Sequence, residues 1–120
     1  MGRVLLAGLA NTALDEWLVS AQTRPLTPHT VSSKPALRAE ILKVRAQGHA
    51  VVVQELELGL CSAAVPLRDR TARVVAALNV GLPFRKGVKE RLSREILPAL
   101  RDAQRGIEEA IAPLRTLSGS

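Results

Sequence analysis

Few residues in this sequence are of the types that perform catalysis or bind metal ions. The chain has one cysteine, Cys61, and two histidines, His29 and His49. A thiol needs a neighbouring base to act as a nucleophile, and Cys61 stands in an apolar stretch without one, so we expect a buried structural cysteine. Two isolated histidines and one cysteine match no standard zinc spacing.

A second set of candidates is the pair Glu55 and Glu57, which would share one face of a strand. Paired carboxylates can exchange protons with a substrate, but a solvated or hydrogen-bonded edge is the commoner role of such a pair. The motifs G-x-S-x-G, G-x-G-x-x-G and H-E-x-x-H and the P-loop are absent from the sequence. We therefore expect no enzyme, no catalytic residue, no metal site and no cofactor. An enzyme that uses Cys61 or Glu55 remains an alternative.

The stretch from Gly59 to Ala64 suggests a binding site instead. Its side chains are small, which leaves room beside a sheet, and Ser62 adds a hydroxyl that could orient a polar ligand. The same composition also suits tight packing against a helix, so the residues alone leave both interpretations open.

Composition indicates one globular domain. The chain has 120 residues, of which 47% are hydrophobic and 23% charged, and these are ordinary values for a folded domain. No apolar run approaches the roughly 18 residues of a membrane span. A single cysteine excludes a secreted module built on disulfides and favours a reducing compartment, which we take to be the cytoplasm.

The net charge of +6 is concentrated in the second half, with +1 in residues 1–60 and +5 in residues 61–120. A basic half indicates an anionic partner such as nucleic acid, a membrane surface or a small anion. Only Trp17 and Phe84 are aromatic, so a stacking surface for single-stranded nucleic acid is missing. The second short helix carries Asp15 and Glu16 and no basic residue, which does not suit a helix that reads DNA.

Hydrophobic periodicity predicts an α+β fold with a three-stranded antiparallel sheet. Thr12 is a candidate N-cap for the second helix, and Ser33 and Gly48 are expected to cap the start and the end of the third. The expected elements are helices over 2–9, 12–20 and about 34–47, a loop over 23–34, and strands over 50–53, 59–67 and 73–80.

The C-terminal part predicts a long helix with an apolar seam. Pro98 should kink or split it, and the seam can close over the sheet or pair with another chain, of which we favour the sheet. Residues 116–120 are expected to be a frayed tail. The seam consists of Leu92, Ile96, Leu100, Ala103, Ile107, Ile111 and Leu114.

Four stretches of the sequence have a distinctive order and spacing. They are residues 1–7, residues 26–30 with the helix at 36–40, residues 54–60 running into 62–66, and residues 73–80. Together they resemble the effector-binding domain of IclR-type bacterial transcriptional regulators. The opening residues and the Gln-Glu-Leu-Glu segment are most similar to the subgroup that controls aromatic-acid catabolism through the β-ketoadipate pathway.

This resemblance implies a GAF-like effector domain over residues 1–115 that lacks its first strands and the upstream DNA-binding domain. It implies dimers or tetramers that sense a small carboxylate, such as protocatechuate or 4-hydroxybenzoate, and control an attached winged helix-turn-helix. Many relatives have Arg at position 61 and Cys at 62, and some have an acidic residue at 52, so the pocket here would be less polar. The implied ligand-binding residues are Gly2, Val52, Leu60, Cys61 and Ser62.

Donors for the carboxylate would be Ser62, backbone amides near Gly2, or Arg3. A structural dimerisation module without a ligand is the alternative to this sensing role. An apolar cavity beside Ser62 would distinguish the two.

Overall fold

The structure is a computed structural model that describes residues 2–22, 25–55 and 57–118, with side chains through residue 112. It confirms the α+β class and the three-stranded antiparallel sheet. In chain order the elements are α1 (Gly2–Ala7), α2 (Asn11–Ser20), α3 (Lys34–Gln47), β1 (Ala50–Val53), β2 (Leu60–Arg68), β3 (Val74–Pro83), α4 (Val88–Arg91), a π-helix (Leu92–Ile96) and α5 (Leu97–Ser118).

The sheet has the order β1-β2-β3, so β2 is its central strand. Because side chains alternate along a strand, β2 contributes to both faces. On one face Ala64 joins a core built with α1, α2 and α3, which includes Val4, Leu14, Ile41 and Ala50. On the other face Cys61, Ala63 and Val65 join a core with the C-terminal helices, which includes Leu92, Leu97 and Leu100. The sheet is thus covered by helices on both sides.

Capping residues set the bounds of α3 as predicted. The Ser33 hydroxyl accepts a hydrogen bond from the Ala36 amide at 3.2 Å, and Gly48 ends the helix with φ 78°. The predicted helix over 12–20 is present as α2, but its predicted N-cap is wrong. The helix begins at Asn11 after Ala10 and no side chain caps it, which places Thr12 inside the helix. The backbone before α2 is held by Arg45 of α3, which donates to the carbonyls of Ala7 and Leu9 at 2.9 and 2.8 Å.

The strand expected to continue through Glu55 and Glu57 ends earlier. Gln54 has φ 55°, which breaks the extended backbone after Val53, and its side-chain oxygen accepts from the Gly59 amide at 2.9 Å. Glu55 and Glu57 therefore lie in the β1–β2 connection and do not share a strand face, and Leu56 between them lies outside the described residues.

The C-terminal helical segment begins at Val88, four residues before the predicted seam, and continues through Pro98. The irregularity is a π-helical turn at Leu92–Ile96, immediately before the proline. This turn adds one residue to the spacing, so that Leu97 is buried and Ile96 only partly so, while Ala103 is exposed. The side chain of Leu114 in the seam lies outside the described side chains, and residues 119–120 of the expected tail lie outside the described residues.

Two polar side chains of α5 complete the hydrogen bonding of β2. β1 begins opposite Ala64, so the last residues of β2 have no strand on that side. Gln104 Nε2 donates to the Pro66 carbonyl at 2.6 Å, and Glu108 accepts from the Arg68 amide at 2.8 Å. The helix thus takes the place of a strand there and confirms that α5 packs on the sheet.

Arg101 attaches the same helix to the α3–β1 turn. Its Nη2 lies 2.9 Å from His49 Nδ1 and donates to the Gln47 carbonyl at 3.3 Å. Burial is the main cause that lowers the pKa of His49 below 6.5, and the charges of Arg101 and Lys43 lower it further, against a hydrogen bond with the Gln47 backbone that raises it.

Gly8 should not tolerate a side chain, whereas Gly106 should. A Cβ on Gly8 would lie 2.7 Å from the Cβ of Val74, which cannot rotate away, while a Cβ on Gly106 meets nothing within 4 Å. We expect Gly8→Ala to destabilise the fold by about 1–3 kcal/mol and Gly106→Ala to stabilise it by about 1 kcal/mol. Urea unfolding of both variants measures this, and equal effects would contradict the packing at Gly8.

His49 should make the stability depend on pH below its ordinary pKa of 6.5. Its folded pKa is lowered, so below pH 6.5 the unfolded chain binds a proton that the folded chain resists. Stability from this group is therefore present above pH 6.5 and declines as the pH falls through the folded pKa. We expect His49→Gln to flatten the free energy of unfolding across this range in urea titrations, and an unchanged slope would refute the assignment.

Candidate functional site

The start of α1 lies over the end of the sheet where β1 and β2 are connected. Arg3 contacts Glu55 in that connection, and five residues later Gly8 lies against Val74 at the opposite end of β3. The helix therefore runs along the sheet. Its first residue, Gly2, is exposed at the end nearest the connection, and a Cβ added there would meet nothing within 4 Å.

Beneath this end of α1, three aligned residues form a row across the sheet. Val52 pairs with Ser62, and Ser62 pairs with Gly81. They share the face that packs on α1, because Ala50 and Ala64, two residues away on their strands, belong to the core with Val4. Gly81 leaves space above the sheet, where its nearest neighbour is Leu60, 3.9 Å from the Cβ position.

The structure thus places Val52, Leu60 and Ser62 on one face of the sheet, with Gly2 at the start of α1 on the same side. They border an accessible part of this face, which is called the recess below. The side chain of Cys61 points to the opposite face of the sheet, where it is 1% exposed and belongs to the core with the C-terminal helices. Alternation along β2 separates it from Ser62 by the thickness of the sheet.

Asn79 is a further candidate that the sequence analysis did not single out. It pairs with Ala64, so it lies on the same face as Ser62 and Gly81. Neither its amide nor the Ser62 hydroxyl makes a hydrogen bond within the part of the chain that the structure describes, and both residues are accessible. In the sequence, Asn79 could be noticed because it is the one polar side chain in the apolar run of β3.

A turn from Leu26 to Thr30 lies against the β1–β2 connection. The Thr27 hydroxyl donates to the Gln54 carbonyl at 2.5 Å, and the Thr30 hydroxyl donates to the Glu55 carbonyl. Thr30 also accepts from the Thr27 amide at 2.9 Å. The two threonines therefore fasten the turn to the β1–β2 connection.

Arg3 and Glu55 form a two-point ion pair that joins α1 to the same connection. Arg3 Nη1 donates to Glu55 Oε2 at 2.9 Å and Nη2 donates to Oε1. Their side chains are only 12% and 14% exposed. Because Glu55 accepts hydrogen bonds from Nη1 and Nη2, the guanidinium of Arg3 is held against the β1–β2 connection.

The arrangement suits binding of a small molecule more than catalysis. Val52 and Leu60 offer apolar surface, and Ser62 and Asn79 offer neutral hydrogen-bond donors. Within the described residues, no three His, Cys, Asp or Glu side chains lie close enough to hold a metal ion, and no helix is long and apolar enough to cross a membrane.

Removing one partner of the Arg3–Glu55 pair should destabilise the protein. Arg3→Met would leave a mostly buried carboxylate without its partner, which costs about 3 kcal/mol. Arg105→Met is the matched control, because the Arg105–Asp102 pair is 73% and 71% exposed and should contribute under about 1 kcal/mol. Urea unfolding of Arg3→Met, Glu55→Gln and the double variant gives the coupling, and additive effects would argue against the pair.

Comparison with known proteins identifies the family. The family described as bacterial transcriptional regulator IclR C-terminal matches residues 1–109. The chain is 43% identical over 107 residues to the Pca regulon regulatory protein of Pseudomonas putida, covering 89% of this chain and 37% of that protein. It is 34% identical to the Pca operon regulatory protein of Acinetobacter baylyi, covering 92% and 40%.

A solved structure supports the same family. A double mutant of the inducer-binding domain of the transcription factor PobR from Acinetobacter, in complex with 3-hydroxybenzoic acid, superposes with a TM-score of 0.84 at 27% identity, covering 89% of this chain and 61% of that one. The chain spans less than half the length of the two curated relatives. It belongs to the IclR family of bacterial transcriptional regulators, which are not enzymes, and it corresponds to their C-terminal, effector-binding domain.

Proposed function

We propose that this domain senses a small aromatic carboxylate in the recess between the start of α1 and the row formed by Val52, Ser62 and Gly81. The observation that supports this most is the similarity to the PobR inducer-binding domain in complex with 3-hydroxybenzoic acid. The similarity to two Pca regulators supports an acid from aromatic catabolism.

The chemistry of the recess fits such a ligand. An aromatic ring would lie against Val52 and Leu60, in the space that the missing side chain of Gly81 leaves open. The carboxylate would accept hydrogen bonds from Ser62 and Asn79 and from the backbone at Gly2. Cys61 would not contact the ligand directly and would support β2 from the other core.

Binding would act through β2, the strand common to the recess and to the core of the C-terminal helices. A ligand that orders Ser62 and the start of α1 would favour one arrangement of the subunits in a dimer or tetramer. That change would set the activity of a winged helix-turn-helix attached to this domain in a longer cytoplasmic protein, and DNA would be contacted through that attached domain alone.

The experiment is a thermal-shift and calorimetric titration with 3-hydroxybenzoate, 4-hydroxybenzoate and protocatechuate. We expect one acid to raise the melting temperature in proportion to the logarithm of its concentration. The neutral amide of that acid should bind at least about tenfold more weakly, because it lacks the charge-assisted hydrogen bonds. Equal binding of the amide would overturn the assignment of a carboxylate.

Ser62→Ala should weaken the binding of that acid about five- to tenfold, as expected for the loss of one hydrogen bond. Ser93→Ala is the matched control, since Ser93 lies on the π-helix on the other side of the sheet. A cooperative melt with no shift for any acid would instead favour the ligand-free dimerisation module, and an equal effect of both substitutions would place the ligand elsewhere.

A further inference from the structure

The outer edge of β1 presents unpaired backbone groups to a groove. The Gln54 amide donates to the Leu60 carbonyl at 2.8 Å, which shows that the backbone of Gln54, and by alternation that of Val52 and Ala50, is directed toward β2. Opposed residues of an antiparallel ladder alternate between hydrogen-bonded and non-hydrogen-bonded pairs. Val51 and Val53, which lie opposite Ala63 and Cys61, are therefore in non-hydrogen-bonded pairs. Their N–H and C=O groups point away from β2.

Within the described residues, no strand and no side chain forms a hydrogen bond with these four backbone groups. They face a groove between α3 on one side and α4 with the π-helix on the other. One cavity of about 360 Å³ and an adjoining one of about 400 Å³ lie along it, and both are lined by Val51, Val53 and Lys89. The groove runs along β1, so an extended peptide chain would fit in it.

The charge of the groove is positive. Lys43 on α3 and Lys89 on α4 line it from opposite walls, and neither makes an ion pair with any residue that the structure describes. Arg3 also lines it but is neutralised by Glu55, which leaves Glu40 as the acidic side chain of the first cavity that faces these lysines. His49 lies between the two walls.

We propose that this groove binds an extended acidic segment of another protein, which adds to the sheet as a strand beside β1. Its backbone would pair with Val51 and Val53, and its carboxylates would contact Lys43 and Lys89. The occupant is a peptide because the exposed groups alternate donors with acceptors along the strand, whereas a small anion would use donors alone. A second copy of β1 does not fit, because lysines from both copies would meet at the edge.

The test uses fluorescence anisotropy with a fluorescein-labelled heptapeptide, Thr-Val-Glu-Glu-Val-Val-Thr, capped at both ends. Its adjacent glutamates point to opposite faces of a strand, so one can contact each wall. We expect saturable binding at low salt. The same peptide with lysine in place of glutamate should not bind. A version with N-methyl groups on alternate residues, placed to block either strand edge in turn, should lose binding for one placement, since the charges are kept and only strand pairing is removed.

Substitutions of the two lysines test whether both walls of the groove contact the peptide. Lys43→Glu and Lys89→Glu should each weaken binding of the acidic peptide at least about tenfold, because a like charge then faces it. Lys86→Glu makes the same change in net charge outside the groove and should alter binding less than about twofold. A melt of each variant verifies folding, and the methylated peptides test the proposal on the unaltered protein in any case.

The proposal is overturned if the peptide does not bind, if both N-methyl placements bind as well as the parent, or if Lys86→Glu weakens binding as much as Lys89→Glu. Displacement of the peptide by millimolar glutarate, together with insensitivity to methylation, would assign the groove to small anions instead. None of these results depends on the recess beside Ser62, so they leave the proposed sensing function unaffected.

Discussion

The burial of β2 on both faces is the constraint on which the other contacts depend. Ala64 contacts the layer of α1 and α3, and its neighbours Ala63 and Val65 contact the layer of α5. All three are at most 1% exposed. Small side chains at these positions let both layers approach the strand closely, so a larger residue on either face would displace a whole helix rather than a single side chain.

This arrangement gives adjacent residues of β2 different roles. Ser62 is partly exposed on the face of α1, where it can meet a ligand, and Cys61 is enclosed against the C-terminal helices. The hydrogen bonds of Gln104 and Glu108 attach α5 to the other end of the same strand. A displacement of β2 at Ser62 would therefore reach α5 through continuous backbone, without requiring a chain of side chains between them.

Local signals in the sequence predicted most of the elements, and the differences come from a long-range contact and from local irregularities of the backbone. Ser33 and Gly48 act within one helix turn, and the three strands follow from short β-branched and apolar runs. The ion pair of Arg3 and Glu55 joins residues 52 positions apart, and the π-turn before Pro98 shifts the buried stripe by one residue. Neither has a local pattern that would reveal it.

The candidate site was predicted less completely than the fold. The resemblance indicated Gly2, Val52, Leu60 and Ser62, which the structure brings to one side, but it also indicated Cys61. Alternation along a strand would have separated Cys61 from Ser62 without a structure. Asn79 could be recognised only once the register of β3 against β2 was known, because its role depends on which face of the sheet is open.

Much of the positive charge stabilises the architecture and does not form a broad surface for anions. Arg45 donates to the carbonyls at the end of α1, Arg101 to the last carbonyl of α3, and Arg38 pairs with Asp15 at 2.8 Å. On the C-terminal helices, Arg91 and Arg94 pair with Glu95 and Glu90 one turn away. Arginine suits these roles because its planar guanidinium can serve several acceptors at once. Lys43 and Lys89 make no ion pair within the described residues and lie beside the unpaired backbone of β1, where their charge remains available for recognition.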